Sequence, residues 1–125
     1  MSAAAAIALV DDDASVRRAL DRLLSSAGFA VRAFASGTEL LDSGFGPDAT
    51  CLLVDIHLVG MSGFEVVEKL RARGVRSSVI FMTAHDSEHT RAQADAIGSS
   101  CYLRKPFEAE ALLVAVRSAI ASRAG

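Results

Sequence analysis

Positive charge is not in excess: Lys and Arg number 13 against 15 Asp and Glu, for a formal net charge of -2, and the cations are scattered among the acids along the chain. Without a basic stripe to neutralise a phosphate backbone, direct nucleic-acid binding by this segment is not expected. Long apolar runs are missing too. The longest, residues 3–10, is far short of the roughly 20 residues that span a bilayer, and no positively charged segment precedes it. The expectation is a soluble, cytoplasmic chain with no membrane partner. Cysteine is scarce: Cys51 and Cys101 each open an apolar strand-like run, where a thiol acts as a small buried hydrophobe rather than a redox or metal group. Internal repeats and low-complexity linkers are also absent. What remains, in 125 residues of 51% hydrophobic content, is the make-up of one compact domain with a full core.

Apolar runs of strand length, at residues 7–10, 30–34, 51–54, 79–82 and 101–103, alternate with stretches of helical period. The first helix carries Val16, Leu20, Leu23, Leu24 and Ala27 on one face and stops at Gly28, a residue suited to a left-handed C-terminal cap. A short second helix includes residues 38–42, and a third starts at Ser62, with Glu65 placed to complete a capping box before Val66, Val67 and Leu70. The fourth covers residues 88–97. The fifth repeats Leu112, Val116 and Ile120 at four-residue steps, with Leu113 widening the buried stripe. A repeated β-then-α order implies a parallel sheet with helices on both faces, because parallel neighbours need a right-handed crossover. The runs at 7–10, 51–54 and 79–82 are apolar throughout, as central strands should be, whereas Arg32 in the second run and the shortness of the fifth mark edges. The fold class expected is α/β: a doubly wound, flavodoxin-like, five-stranded parallel sheet in the order 2-1-3-4-5.

In such a sheet, ligands bind beyond the carboxyl ends of the strands, near the point where strand order reverses. Asp11, Asp12 and Asp13 follow the first run, Asp55 the third, Thr83 the fourth, and Lys105 the fifth with one residue between. Neighbouring strands lie about 4.8 Å apart, so Asp12 and Asp55 can share one cation. Oxygen-only ligands with room for water suit Mg²⁺. Lys105 starts about two strand spacings, roughly 10 Å, from Asp55, a gap the two side chains jointly cover. A carboxylate beside a cation and an ammonium is suited to attack a phosphoryl group, with Asp55 as nucleophile and acceptor. The Thr83 hydroxyl would then bond a phosphoryl oxygen only in the modified state.

Taken singly, each residue has an ordinary role: Asp13 caps the first helix, Asp55 opens a loop, Thr83 caps a helix, and Lys105-Pro106 makes a turn. Their convergence on one edge of one sheet favours a joint site. His57, His85 and His89 share no helical face or ligand spacing, so solvent-facing loops are expected for them rather than zinc. Tyr102 is either a partly buried edge aromatic or a movable reporter.

The motifs V-D-D-D at 10–13, D-I-H-L-V-G-M-S-G at 55–63, M-T-A at 82–84 and K-P-F at 105–107 resemble the response-regulator receiver domain of bacterial two-component signalling, across nearly the whole chain. The K-P-F ending looks most like receivers that precede a helix-turn-helix output domain. The resemblance implies phosphotransfer from a sensor histidine kinase or phosphotransfer protein to Asp55. Mg²⁺ would be held by Asp12, Asp55 and the backbone carbonyl of His57, with Asp11 assisting through water. The domain would catalyse its own phosphorylation and dephosphorylation rather than turn over as an enzyme.

The resemblance further implies that Lys105 pairs with the phosphoryl group, that Lys105-Pro106 is a cis peptide, and that Thr83 with Tyr102 relays the change. The relay would reach the face of the fourth helix, fifth strand and fifth helix, used for a homodimer or an output domain. His57 and His85, two residues beyond Asp55 and Thr83, should flank the path of attacking water and set the lifetime of the phosphorylated state. Residues 1–125 are expected to be the receiver, with 121–125 as the start of a linker to an output domain. The sequence departs from the family at Leu58-Val59, where Met-Pro is common; loss of a fixed φ predicts a more mobile loop after Asp55. Gly98-Ser99-Ser100 replaces a more apolar turn, which bears on partner choice. Two alternatives fit less well. A haloacid-dehalogenase-like phosphatase with Asp11 as nucleophile leaves Asp55 without a role, and a phosphorylation-independent interaction module would be expected to have lost acidic, threonine or lysine positions that are all present here.

Overall fold

The computed structural model describes residues 5–124; residues 1–4, which include the start of the first apolar run, and Gly125 lie outside it. Five strands, β1 (Ala6–Val10), β2 (Ala30–Phe34), β3 (Cys51–Asp55), β4 (Ser78–Thr83) and β5 (Cys101–Arg104), form one parallel sheet in the order β2-β1-β3-β4-β5. Helices α1 (Ala14–Ser26), α2 (Gly37–Ser43), α3 (Gly63–Ala72), α4 (Glu88–Ile97) and α5 (Ala109–Ala124) alternate with them. The central and edge strands are sorted as their chemistry predicts. β3 is buried at every position, while β2 buries only Phe34.

Successive strand residues face opposite sides of the sheet, so each central strand feeds two cores. Ala8, Val10, Leu52, Val54 and Phe81 pack with Leu40, Val66, Val67, Leu70 and Ala94 from α2, α3 and α4. Ile7, Leu9, Leu53, Ile80 and Met82 pack with Leu20, Leu24, Leu112 and Val116 from α1 and α5. Each such Val, Leu, Ile, Met or Phe side chain contributes about 1.5–3 kcal/mol relative to exposure. The strand ends therefore project from a base that is braced on both sides. Cys51 belongs to this core, and burial pushes its thiol up to about 12, which makes it inert; Cys101 is half-buried.

Local signals set the helix starts. The Asp13 carboxylate accepts the N–H groups of Ser15 and Val16 to cap α1, and Gly28, at φ 97, follows that helix's end. Ser62 and Glu65 form the expected capping box on α3. A second box, Ser87 with Thr90, opens α4.

Three strands run one residue further toward the rim than their apolar runs: β3 ends on Asp55, β4 on Thr83 and β5 on Arg104. The ladder continues because backbone pairing ignores side-chain polarity, with Asp55 opposite Met82 and Thr83 opposite Arg104. Lys105 consequently follows β5 directly. A 3-10 turn, Gly46–Asp48 with Pro47 in its first turn, was not anticipated. Residues 121–124, expected to begin a linker, fall in the last turn of α5, and Gly125 lies outside the described residues. No described helix is long and apolar enough to cross a membrane.

Candidate functional site

Pairing of Val10 with Val54 sets β1 and β3 side by side, so Asp11 and Asp55 meet at the rim where the chain order reverses. Asp11, Asp12 and Asp55 each bring a carboxylate oxygen within 4.8 Å of the other two. Lys105 reaches them past the end of β4: its Nζ donates to Asp11 Oδ2 at 2.7 Å and to Asp55 Oδ2 at 2.8 Å. Residues from the ends of three separate strands thus converge on one point.

Each carboxylate is oriented from a second direction. Asp11 Oδ1 accepts the Asp13 N–H, Asp55 Oδ1 accepts the His57 N–H, and Asp12 Oδ2 accepts the Val59 N–H at 3.2 Å. Arg17 of α1 donates to the Asp11 carbonyl. The Asp11 side chain is wholly buried, whereas the Asp55 side chain stays 10% exposed. That difference disfavours Asp11 as a nucleophile, since an incoming group meets only Asp55 without opening the fold.

Burial pushes the Asp11 carboxyl up, against the opposing pull of its hydrogen bond to Lys105. For Lys105 burial acts to lower the pKa, but hydrogen bonds to Asp11 and Asp55 outweigh it and the net shift is upward. Three formal negative charges facing one ammonium leave two uncompensated. An oxygen-only cluster with that deficit fits a hard dication such as Mg²⁺.

Thr83, fully buried at the end of β4, accepts the His85 N–H at 2.9 Å, which leaves its hydroxyl proton free to donate. A cleft of about 240 Å³ lined by Thr83, Ala84, Asp86, Arg104, Lys105 and Pro106 adjoins it. The Lys105-Pro106 peptide is cis. His57 and His85 are both exposed and meet edge to face with ring centroids 5.3 Å apart, so they link the loops after β3 and β4; His89 lies exposed in the first turn of α4.

Sequence reading missed the surroundings of Tyr102. Its hydroxyl donates to Asp86 Oδ1 at 2.8 Å and lies 2.7 Å from Thr90 Oγ1. Asp86 is also gripped by both Arg91 Nε and Nη2, at 2.9 and 2.8 Å. The bonds from Arg91 first, and from Tyr102 second, hold the Asp86 carboxyl at about 2. The reach from Tyr102 to Asp86 depends on the fold and carried no local signal.

The model of the response regulator receiver domain family matches residues 7–117. The transcriptional regulatory protein FixJ of Azorhizobium caulinodans is 38% identical over 112 residues, covering 90% of this chain and 53% of that protein. The transcriptional regulatory protein TdiR of Thauera aromatica is 35% identical over 118 residues, covering 94% of this chain and 52% of that one. The chain thus spans about half the length of the curated relatives it matches. Among solved structures, the response regulator StyR superposes with a TM-score of 0.88 at 37% identity, over 98% of this chain and 62% of that chain. Vibrio cholerae chemotaxis protein CheY4 does so with a TM-score of 0.87 at 28% identity, over 94% and 99%.

Proposed function

This chain belongs to the response regulator receiver family, and from that premise we propose that it is a phosphoacceptor switch in which Asp55 takes the phosphoryl group of a phosphohistidine. The donor is a sensor histidine kinase or a phosphotransfer protein. The donor's P–N bond breaks with its electron pair staying on the imidazole nitrogen, and an Asp55 oxygen forms the new P–O bond of an acyl phosphate. Asp12, Asp55 and the His57 carbonyl would hold Mg²⁺, with Asp11 acting through water. When bound, the dication neutralises charge that builds on the transferring oxygens. Lys105, bridging Asp11 and Asp55, supplies the second positive group. One observation carries the reading: the Lys105 ammonium is shared by Asp11 and Asp55 with Asp12 beside them, at the sheet's switch point. The test is intact-mass measurement with a small acyl phosphate as donor. One phosphoryl group should be gained with Mg²⁺ present and about tenfold more slowly after chelation; no gain with Mg²⁺ sinks the reading.

The signal would pass from Thr83 to Tyr102 and on to the α4-β5-α5 face. Thr83 has a free hydroxyl proton beside the cleft, and Tyr102 bridges β5 to the loop before α4 through Asp86 and to α4 itself through Thr90. Because Tyr102 is the chain's sole tyrosine and there is no tryptophan, intrinsic emission reads this residue alone. Phosphorylation of the wild type is expected to change this emission, and Thr83→Ala to accept the phosphoryl group yet lose the change; an unaltered change removes Thr83 from the relay.

Dephosphorylation returns the group to water, and the exposed His57–His85 pair, each two residues beyond Asp55 or Thr83, would flank that approach. Ala at both positions should shift the phosphorylated half-life by about threefold or more, a little under 1 kcal/mol of barrier. An unchanged half-life removes the pair from the mechanism. The named relatives are transcriptional regulators about twice this length. That supports a cytoplasmic regulator whose output domain follows α5, with the α4-β5-α5 face serving it or a second copy. Val114, 57% exposed on α5, is apolar surface such a contact would cover.

A further inference from the structure

Asp12 is held differently from the acids around it. Asp11 and Asp55 are each fixed by Lys105 and by the amide two residues onward, and Asp13 by the first N–H groups of α1. The Asp12 carboxylate is exposed, and among the described residues its one hydrogen bond comes from the Val59 N–H, 47 positions away in the chain. That donor exists only because residue 59 is not proline, the residue common at this place in the family pattern; proline has no N–H. Val59 as a whole is 82% exposed, so the amide rather than packing of the isopropyl group ties this residue to the site.

We infer that Val59 is a positioning residue whose backbone amide holds Asp12 turned toward Asp55, ready to receive a dication. This rests on the Mg²⁺ role proposed above for Asp12. A carboxylate oxygen has two lone pairs, so accepting one N–H leaves Asp12 free to ligate a cation. Without the bond, an exposed aspartate samples several rotamers, and cation binding must order it. The amide thus replaces, by a bond across the site, the stiffness a proline would give the loop after Asp55. The looser loop expected from the missing proline is opposed by this tether.

Calorimetric titration of the chain with Mg²⁺ alone separates amide from side chain. Val59→Ala keeps the N–H and should bind as the wild type does. Val59→Pro should bind about fivefold more weakly, the loss of one ordinary hydrogen bond. Equal or tighter binding by Val59→Pro, or equal weakening by Val59→Ala, overturns the inference. A second measurement needs no metal and no change at residue 59: hydrogen exchange of the Val59 amide should quicken about fivefold in Asp12→Ala and return to the wild-type rate in Asp12→Asn. Equal exchange in the wild type and Asp12→Ala overturns the inference even where Val59→Pro does not fold. If the wild type binds no Mg²⁺ while Val59 exchange still follows Asp12, the metal reading falls and the tether stands.

Discussion

Asp55→Asn is expected to take up no phosphoryl group while folding to within about 1 kcal/mol of the wild type. The two halves of this result have different causes. Asparagine keeps the shape of aspartate but replaces one anionic oxygen with an NH₂ group, so the strand end no longer presents a nucleophile that can carry an acyl phosphate. Stability is set by two opposing changes. The wild-type carboxylate accepts from the His57 N–H on one oxygen and from Lys105 on the other, and an amide can satisfy only one of these donors. The loss is offset because one of three clustered negative charges is gone, and Lys105 keeps its 2.7 Å bond to Asp11. Intact mass after incubation with a small acyl phosphate and Mg²⁺ reads the chemistry, and urea unfolding reads the fold. Uptake by the variant would move the acceptor to another carboxylate and end the assignment of Asp55. A variant that fails to fold would instead make Asp55 a structural residue first.

The sheet was legible because burial on both faces leaves an apolar run that few other structures need: residues 7–10, 51–54 and 79–82 became the inner strands β1, β3 and β4. The acidic cluster was legible for the complementary reason. Polar residues directly after such runs have nowhere to go but the rim, and Asp11, Asp12, Asp55 and Lys105 are brought together there. Contacts made by backbone atoms left no such trace. An N–H from Val59 to Asp12 is invisible as a residue type except through the absence of proline. The clasp of Asp86 by Tyr102 and Arg91 joins an edge strand to a loop, and neither periodicity nor capping rules specify that approach. The 3-10 turn at Gly46–Asp48 is short enough to leave no periodic pattern.

Gly63 is the clearest case of a backbone contact that a sequence motif hides, and Gly63→Ala is expected to lower stability by about 3 kcal/mol, roughly 10 °C in Tm for a chain of this length. Gly63 is the first residue of α3, and its N–H donates to the Ile56 carbonyl at 2.9 Å. A Cβ there would press into the Asp55 carbonyl oxygen and lie 2.9 Å from Ile56 Cα. These are main-chain atoms at and just beyond the strand end that carries Asp55, so no rotamer change relieves the overlap. One way out lifts α3 and unpacks Phe64, Val66, Val67 and Leu70, all buried. The other shifts the end of β3 and moves Asp55 away from Lys105. Phosphoryl uptake should therefore fall by about tenfold or more even well below the Tm, since misplacement by about 1 Å can cost some hundredfold in rate. Gly74→Ala separates crowding from the general loss of a glycine. Gly74 sits at φ 88 with no atom within 4 Å of a new Cβ, so it should cost only the backbone strain, about 1 kcal/mol, and leave uptake intact. Equal melting losses in the two variants, or full uptake by Gly63→Ala, would show that the seat of α3 on β3 does not set the position of Asp55.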